Sequence, residues 1–203
     1  MKITSIELLA TPDVKVIRFQ RFVDHRGYFT ESYRIRDIDH GPFVQCNESF
    51  SHKGVVRGLH FQWNPFMGKL VRTVQGRMVD LVLDIRKGSP TEGKILAVDM
   101  IAYPEMDYST WIWVPPGFAH GNFFSEPTTI EYLCTGQYSP GCECGISPLS
   151  TDLDWSLCDP LLKKEFDDLL SKNPIISEKD RDGITYNEWK SDSRSENFRY
   201  GDH

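Results

Sequence analysis

The stretch RMVDLVLDI, Arg77 to Ile85, carries two interleaved patterns. Val79, Leu81, Leu83 and Ile85 share one parity, and all are apolar. Met78, Asp80, Val82 and Asp84 share the other, where carboxylates alternate with apolar groups. Side chains alternate between faces along a strand. The segment is therefore predicted as a strand with one apolar face and one mixed face, as in a barrel or sandwich with a polar-lined lumen.

The runs on either side repeat the theme. VKVIRFQRFVD gives way to HRG, FVQCNESF precedes SHKG, KLVRTV meets QG, and STWIWV breaks at PPG. ILAVDM lies between, and TTIEYLCTG closes the series. Short strands at even spacing with turn residues between them predict an all-β, antiparallel sandwich or barrel. The character changes after Asp159. Asp159 is placed to cap a helix, Pro160 suits its first turn, and Leu162, Phe166, Leu169 and Leu170 form a helical stripe. SEKDRDG then reads as a polar turn segment. NEWKSDSRSENFRYGDH is short of aliphatics and reads as a flexible tail or an arm on a partner subunit. The expected organisation is one domain over 1–185, with a short C-terminal helix on the outside of the sandwich, and a polar tail over 186–203.

Composition bounds the function. The chain has 203 residues, 39% of them apolar and 26% charged, which suits one soluble globular domain. A net charge of −6 argues against a general nucleic-acid or membrane-surface binder, though a local basic pocket can still take a small anion. No apolar run is long enough to span a bilayer, and MKITSIELLATPDV does not resemble a signal peptide, so a cytoplasmic location is expected. The five cysteines are odd in number and contain no CxxC pair, so they read as reduced structural thiols.

Two histidines stand in strong strand signals. In VVRGLHFQ, Val55 to Gln62, Arg57 and His60 interrupt a run of strand formers. In a regular strand they face opposite sides. Gly58 between them is the type of residue that marks a bulge, which would turn both toward one pocket. The alternative is Arg57 snorkelling outward and His60 hydrogen-bonded in the core. In VPPGFAHGNFF, the pattern Pro115-x-Gly117-x-x-His120 resembles the second motif of cupin sandwiches. The first cupin motif would place H-x-H earlier, but here it reads His60-Phe61-Gln62. With Gln62 where a ligand belongs, a metal-free pocket is expected.

Other segments carry anchoring groups: Arg26, Phe29 and Glu31 in HRGYFTESYR, Gln45 and Asn47 in FVQCNES, Lys69 in FMGKLVR, and Tyr132 and Tyr138 in TTIEYLCTGQYSP. Together with GVVRGLHFQ, VDLVLDIRKGSPT, WVPPGFAHG and SEKD, in this order, they make the chain closely resemble the dTDP-4-dehydrorhamnose 3,5-epimerase family.

The resemblance implies a jelly-roll, cupin-like β-sandwich and a homodimer made by exchange of N-terminal strands. It also implies an isomerase that needs no metal or cofactor and acts on a nucleotide-linked 4-keto-6-deoxyhexose. Inverting the two carbons beside a ketone needs a base on one face, an acid on the other and a donor at the enolate oxygen. By family analogy His60 is the base, Asp180 its carboxylate partner with Asp80 as the alternative, Tyr132 the acid, and Lys69 the enolate stabiliser. The same analogy puts Arg26, Glu31, Gln45, Asn47, Arg57, His120, Glu143 and Lys179 on the substrate. The resemblance further implies that Phe29 and Tyr138 flank the nucleotide base, one of them donated by the second subunit. The chain departs from the family pattern at Cys46, at Gln137-Tyr138, and in CGISPLSTDLDWSLCDP after Glu143. By analogy these departures fall around the sugar and base pockets. A C3-only epimerase, a non-catalytic sugar-nucleotide binder and a metal cupin are the competing readings.

Overall fold

The computed structural model describes residues 2–11, 13–34 and 40–202. Its strands are β1 (Ile3–Leu8), β2 (Lys15–Gln20), β3 (Phe22–Asp24), β4 (Gly27–Phe29), β5 (Gln45–Ser51), β6 (Val56–Gln62), β7 (Lys69–Asp84), β8 (Ile95–Ala102), β9 (Tyr108–Val114), β10 (Phe118–Phe124), β11 (Thr128–Cys134) and β12 (Glu143–Gly145). One layer runs β1-β2-β9-β7-β11-β5 and the other β12-β6-β10-β7-β8. All of these strand pairs are antiparallel. The expected antiparallel, cupin-like β-sandwich is what forms.

β7 serves both layers. Its first half, from Lys69, pairs with β9 and β11, and its second half, to Asp84, pairs with β8 and β10. The expected break at Gln75-Gly76 is therefore a bend within one strand of 16 residues. Gly76 takes φ +96°, and a Cβ there would lie 2.7 Å from Pro127 O. A glycine in a left-handed conformation can turn a strand from one sheet to another without ending it.

The two parities of RMVDLVLDI separate as expected. Val79, Leu81, Leu83 and Ile85 enter a core with Phe123 and Phe166, while Met78 and Val82 pack with Phe118, Phe124 and Ile130. The two carboxylates on the mixed face are both fully buried and both partnered. Asp84 takes hydrogen bonds from Arg86, Ser89 and Thr91, and Asp80 faces His120. Helix α1 (Pro160–Leu170) starts on the Asp159 cap and buries Phe166 against Phe123 and Trp155.

Two expectations about the C-terminus are corrected. SEKDRDG is not a simple turn but contains helix α2 (Glu178–Arg181), whose capping Ser177 Oγ accepts from the Asp180 N–H at 3.1 Å. The segment from Tyr186 onward is not a flexible tail. It forms helix α3 (Tyr186–Ser191), opened by a Thr185–Glu188 capping box, and a 3-10 turn (Ser193–Asn197). Trp189 and Phe198 are both 0% exposed, with ring centroids 4.5 and 5.6 Å from that of Phe61. Two buried aromatic anchors supply apolar area that a shortage of aliphatics conceals. Among the described residues no helix is long and apolar enough to cross a membrane.

Candidate active site

The site is built where β6 lies beside β10. His60 stands opposite His120, and Arg57 stands opposite Asn122. The step from 57 to 60 on β6 thus matches the step from 120 to 122 on β10, which is a bulge of one residue. Gly58 takes φ +108° inside it. The backbones approach so closely that a Cβ on Gly58 would sit 2.4 Å from Gly121 Cα. Glycine on both strands permits that contact. The bulge resolves the open question of parity, because Arg57 and His60 line the same cavity.

Two histidine–carboxylate pairs face this cleft. His60 Nε2 is 2.7 Å from Asp180 Oδ1, and the other oxygen of Asp180 accepts from the Gly58 N–H at 3.3 Å. Burial pushes the Asp180 carboxyl up. The hydrogen bond and charge of His60, with help from the Gly58 amide and Ser177, more than offset this and hold it below its ordinary value. With Nε2 engaged by Asp180, Nδ1 is the nitrogen left to exchange a proton. His120 Nε2 is 2.7 Å from Asp80 Oδ2, and both residues are buried. Asp80 therefore belongs to His120 and not to His60.

The cleft has two lobes that share His60, Lys69 and Tyr132. The inner lobe, about 220 Å³, adds Arg57, His120, Asn122 and Asp180. The outer lobe, about 350 Å³, adds Gln45, Asn47, Gln62, Tyr138 and Glu143. Burial pushes the Lys69 ammonium down, only partly countered by Cys134, Asp80 and Glu143. Burial pushes the Tyr132 phenol up, despite the opposing effects of Arg57 and Asn47. A lysine with a weakened hold on its proton and a tyrosine that keeps its own are thus placed with an imidazole at one cavity.

The outer lobe is wired by hydrogen bonds. Gln45 Oε1 accepts from the Tyr138 N–H at 2.8 Å, and Gln45 Nε2 donates to Asn47 Oδ1 at 3.1 Å. Glu143 accepts from the Tyr138 hydroxyl and from Lys179 Nζ, each at 2.8 Å. Gln62 is committed to backbone. Its Nε2 donates to Pro65 O and Gln137 O, and its Oε1 accepts from the Ser139 N–H. The residue in the place of a cupin metal ligand is a staple between two loops. Among the described residues no three His, Cys, Asp or Glu side chains converge as a metal-binding group.

A family model described as dTDP-4-dehydrorhamnose 3,5-epimerase matches residues 9–188. The chain belongs to the dTDP-4-dehydrorhamnose 3,5-epimerase family. It is similar to the dTDP-4-dehydrorhamnose 3,5-epimerase of Pseudomonas aeruginosa, 38% identical over 184 residues that cover 88% of this chain and 93% of the relative. The Neisseria gonorrhoeae enzyme of the same name is 38% identical over 182 residues, 87% of this chain, but the match spans only 51% of that relative's length. Among solved structures it resembles the 3,5-epimerase of Legionella pneumophila Philadelphia 1 in complex with dTDP-4-keto-L-rhamnose. The TM-score is 0.79 at 32% identity, covering 97% of this chain and 98% of that one. It also resembles a 3'-monoepimerase from Streptomyces bikiniensis in complex with dTDP-quinovose, with a TM-score of 0.73 at 28% identity, covering 94% and 89%.

In this epimerase-family chain most of the expected site residues meet at the cleft, but four do not: Lys179 reaches it only through its ion pair with Glu143, and the other three lie farther off. Arg26, Phe29 and Glu31 line neither lobe. Arg26 pairs with Asp24 at 2.6 Å, Glu31 pairs with Arg34, and Phe29 is 64% exposed on the β3–β4 hairpin. The divergent segment after Glu143 is also placed differently from expectation. Ile146 and Leu153 enter the core and Trp155 packs on Phe166, so this stretch supports α1 and does not wall the lobes. Its one approach to the chemistry is Gly145, where a Cβ would come within 3.2 Å of His60 Cδ2. Sequence reasoning did not single out Asn122, Met67 or Cys134 as cleft residues. Asn122 had a usable signal, since it lies two residues from His120 and so shares its face.

Proposed function

We propose that this chain inverts C3 and C5 of a nucleotide-linked 4-keto-6-deoxyhexose, converting dTDP-4-dehydro-6-deoxyglucose to dTDP-4-dehydrorhamnose. The observation that carries this is the meeting of the His60–Asp180 pair, Lys69 and Tyr132 at one cavity. His60 removes the proton α to the ketone, and Asp180 steadies the imidazolium that results. Lys69 stabilises the enolate oxygen. Tyr132 returns a proton from the other face, and burial keeps its phenol protonated for that task. Each inversion is a pair of proton transfers with no net oxidation or reduction.

Arg57 suits a bidentate grip on the pyrophosphate, and His120, positioned by Asp80, reaches the same lobe. Gln45, Asn47, Tyr138, Glu143 and Lys179 suit the nucleotide side through the outer lobe. Arg26, Phe29 and Glu31 serve the cleft of a second subunit in a homodimer. Their hairpin supports this reading, because it exposes Phe22, Val23, Tyr28 and Phe29. Five free thiols suit a reducing cytoplasm. Incubation with dTDP-4-dehydro-6-deoxyglucose, followed by proton NMR of the hexose ring, tests the reading. Appearance of the rhamno-configured ketone supports it, an unchanged sugar rejects it, and inversion at C3 alone favours the monoepimerase alternative.

A further inference from the structure

Asn122 projects from β10 on the same face as His120 and stands directly opposite Asp80 of β7. The residue is only 4% exposed, yet it lines the inner lobe beside His60 and Tyr132. Its Oδ1 is buried without a hydrogen-bond partner, and its carboxamide enters none of the side-chain hydrogen bonds among the described residues. Buried polar side chains are rarely left unpaired in folded chains. One that faces a cavity holding an acid, a base and a lysine is placed to receive a ligand group. Oδ1 is closed off from solvent, whereas Nδ2 is unpaired and not closed off, so the atom a ligand can reach is a donor and the group it takes is an acceptor.

We infer that Asn122 is a sugar-recognition residue, whose Nδ2 donates a hydrogen bond to a ring hydroxyl oxygen of the hexose. The inference rests on the sugar-nucleotide reading of the cleft. It assigns Asn122 to the sugar because Asn122 shares the inner lobe with His60 and Tyr132, which act on the hexose carbons, and is absent from the outer lobe. Arg57 stands opposite it, so a grip on the pyrophosphate is the competing role, which the dTDP arm of the test reads. The neutral carboxamide suits a position facing Asp80, since a carboxylate there would set two like charges on adjacent strands.

The test compares two probes, dTDP and dTDP-L-rhamnose, by titration calorimetry on the full chain. Asn122→Leu keeps the approximate shape and removes the polar atoms. Asn122→Ala is the second variant should leucine overpack the lobe. The Kd for dTDP is expected to stay within about twofold of the unsubstituted chain, and the Kd for dTDP-L-rhamnose to rise about tenfold, the scale of one lost hydrogen bond. Equal weakening of both probes, or no weakening of either, overturns the assignment. Failure of the unsubstituted chain to bind either probe overturns the sugar-nucleotide reading, and the assignment with it.

Discussion

His60 and Asp180 meet at 2.7 Å although 120 positions separate them in the chain. The contact joins the bulged centre of β6 to the short helix α2. The carboxylate sits below its ordinary value, so it is charged at neutral pH and available to support an imidazolium. Asp180→Asn keeps the shape and removes the charge. Steady-state kinetics should show kcat/KM lower by roughly 10²- to 10⁴-fold, the usual range for a disabled acid–base group, with the dTDP Kd little changed. A loss under tenfold would detach Asp180 from the mechanism.

Tyr132 and His60 have separable tasks. Removal of the phenol by Tyr132→Phe should leave His60 able to take a proton and return it to the same face. NMR in deuterated water should then show isotope entering the sugar while inversion slows by roughly 10²-fold or more. Inversion at the unsubstituted rate would remove Tyr132 from the acid role.

Lys69 gives the pH dependence its sign. Burial lowers the pKa of its ammonium, so it is charged at low pH and loses its charge as pH rises, at a point below the ordinary lysine value of 10.5. Tyr132 moves the opposite way and holds its proton beyond its ordinary 10.0. The alkaline fall in kcat/KM is therefore expected to report Lys69. Lys69→Arg should lower the rate but move that fall to higher pH, because a guanidinium stays charged. An alkaline limb that does not move would assign it to another group.

Gly58 is the test of the bulge. A side chain there meets both a left-handed backbone and the Gly121 main chain at 2.4 Å. Gly58→Ala should destabilise the fold by about 3 kcal/mol, a fall in Tm of roughly 6–12 °C for a chain of this size. Differential scanning calorimetry reads this directly. A variant of unchanged Tm and activity would show that the strands tolerate a wider spacing.

The sequence made the sandwich legible because parity and turn residues are local signals. Val79 and Asp80 announce their faces within one strand. Gly76 misled because a glycine that ends a strand and one that bends it look alike until the partner strands are known. The C-terminus misled for a related reason: Trp189 and Phe198 are isolated among polar residues, and only their convergence on Phe61 makes them core. At the site, His60, Lys69, Tyr132 and Asp180 came from family resemblance, and the structure brings them to one cleft. The pairing of Asp80 with His120 was not legible, because parity puts Asp80 on the mixed face without saying which histidine lies across from it. Gln62 is legible only as what stands in place of a histidine. Its staple between Gln137 and Pro65 depends on two loops whose contact no local pattern encodes.

The central claim is proton abstraction on both sides of a ketone. The most direct measurement is the fate of the C3 and C5 hydrogens when dTDP-4-dehydro-6-deoxyglucose is incubated with the chain in deuterated water and followed by NMR. Deuterium at both carbons, lost on His60→Ala, is the predicted result. No solvent isotope at either carbon, or incorporation undiminished by His60→Ala, would contradict it.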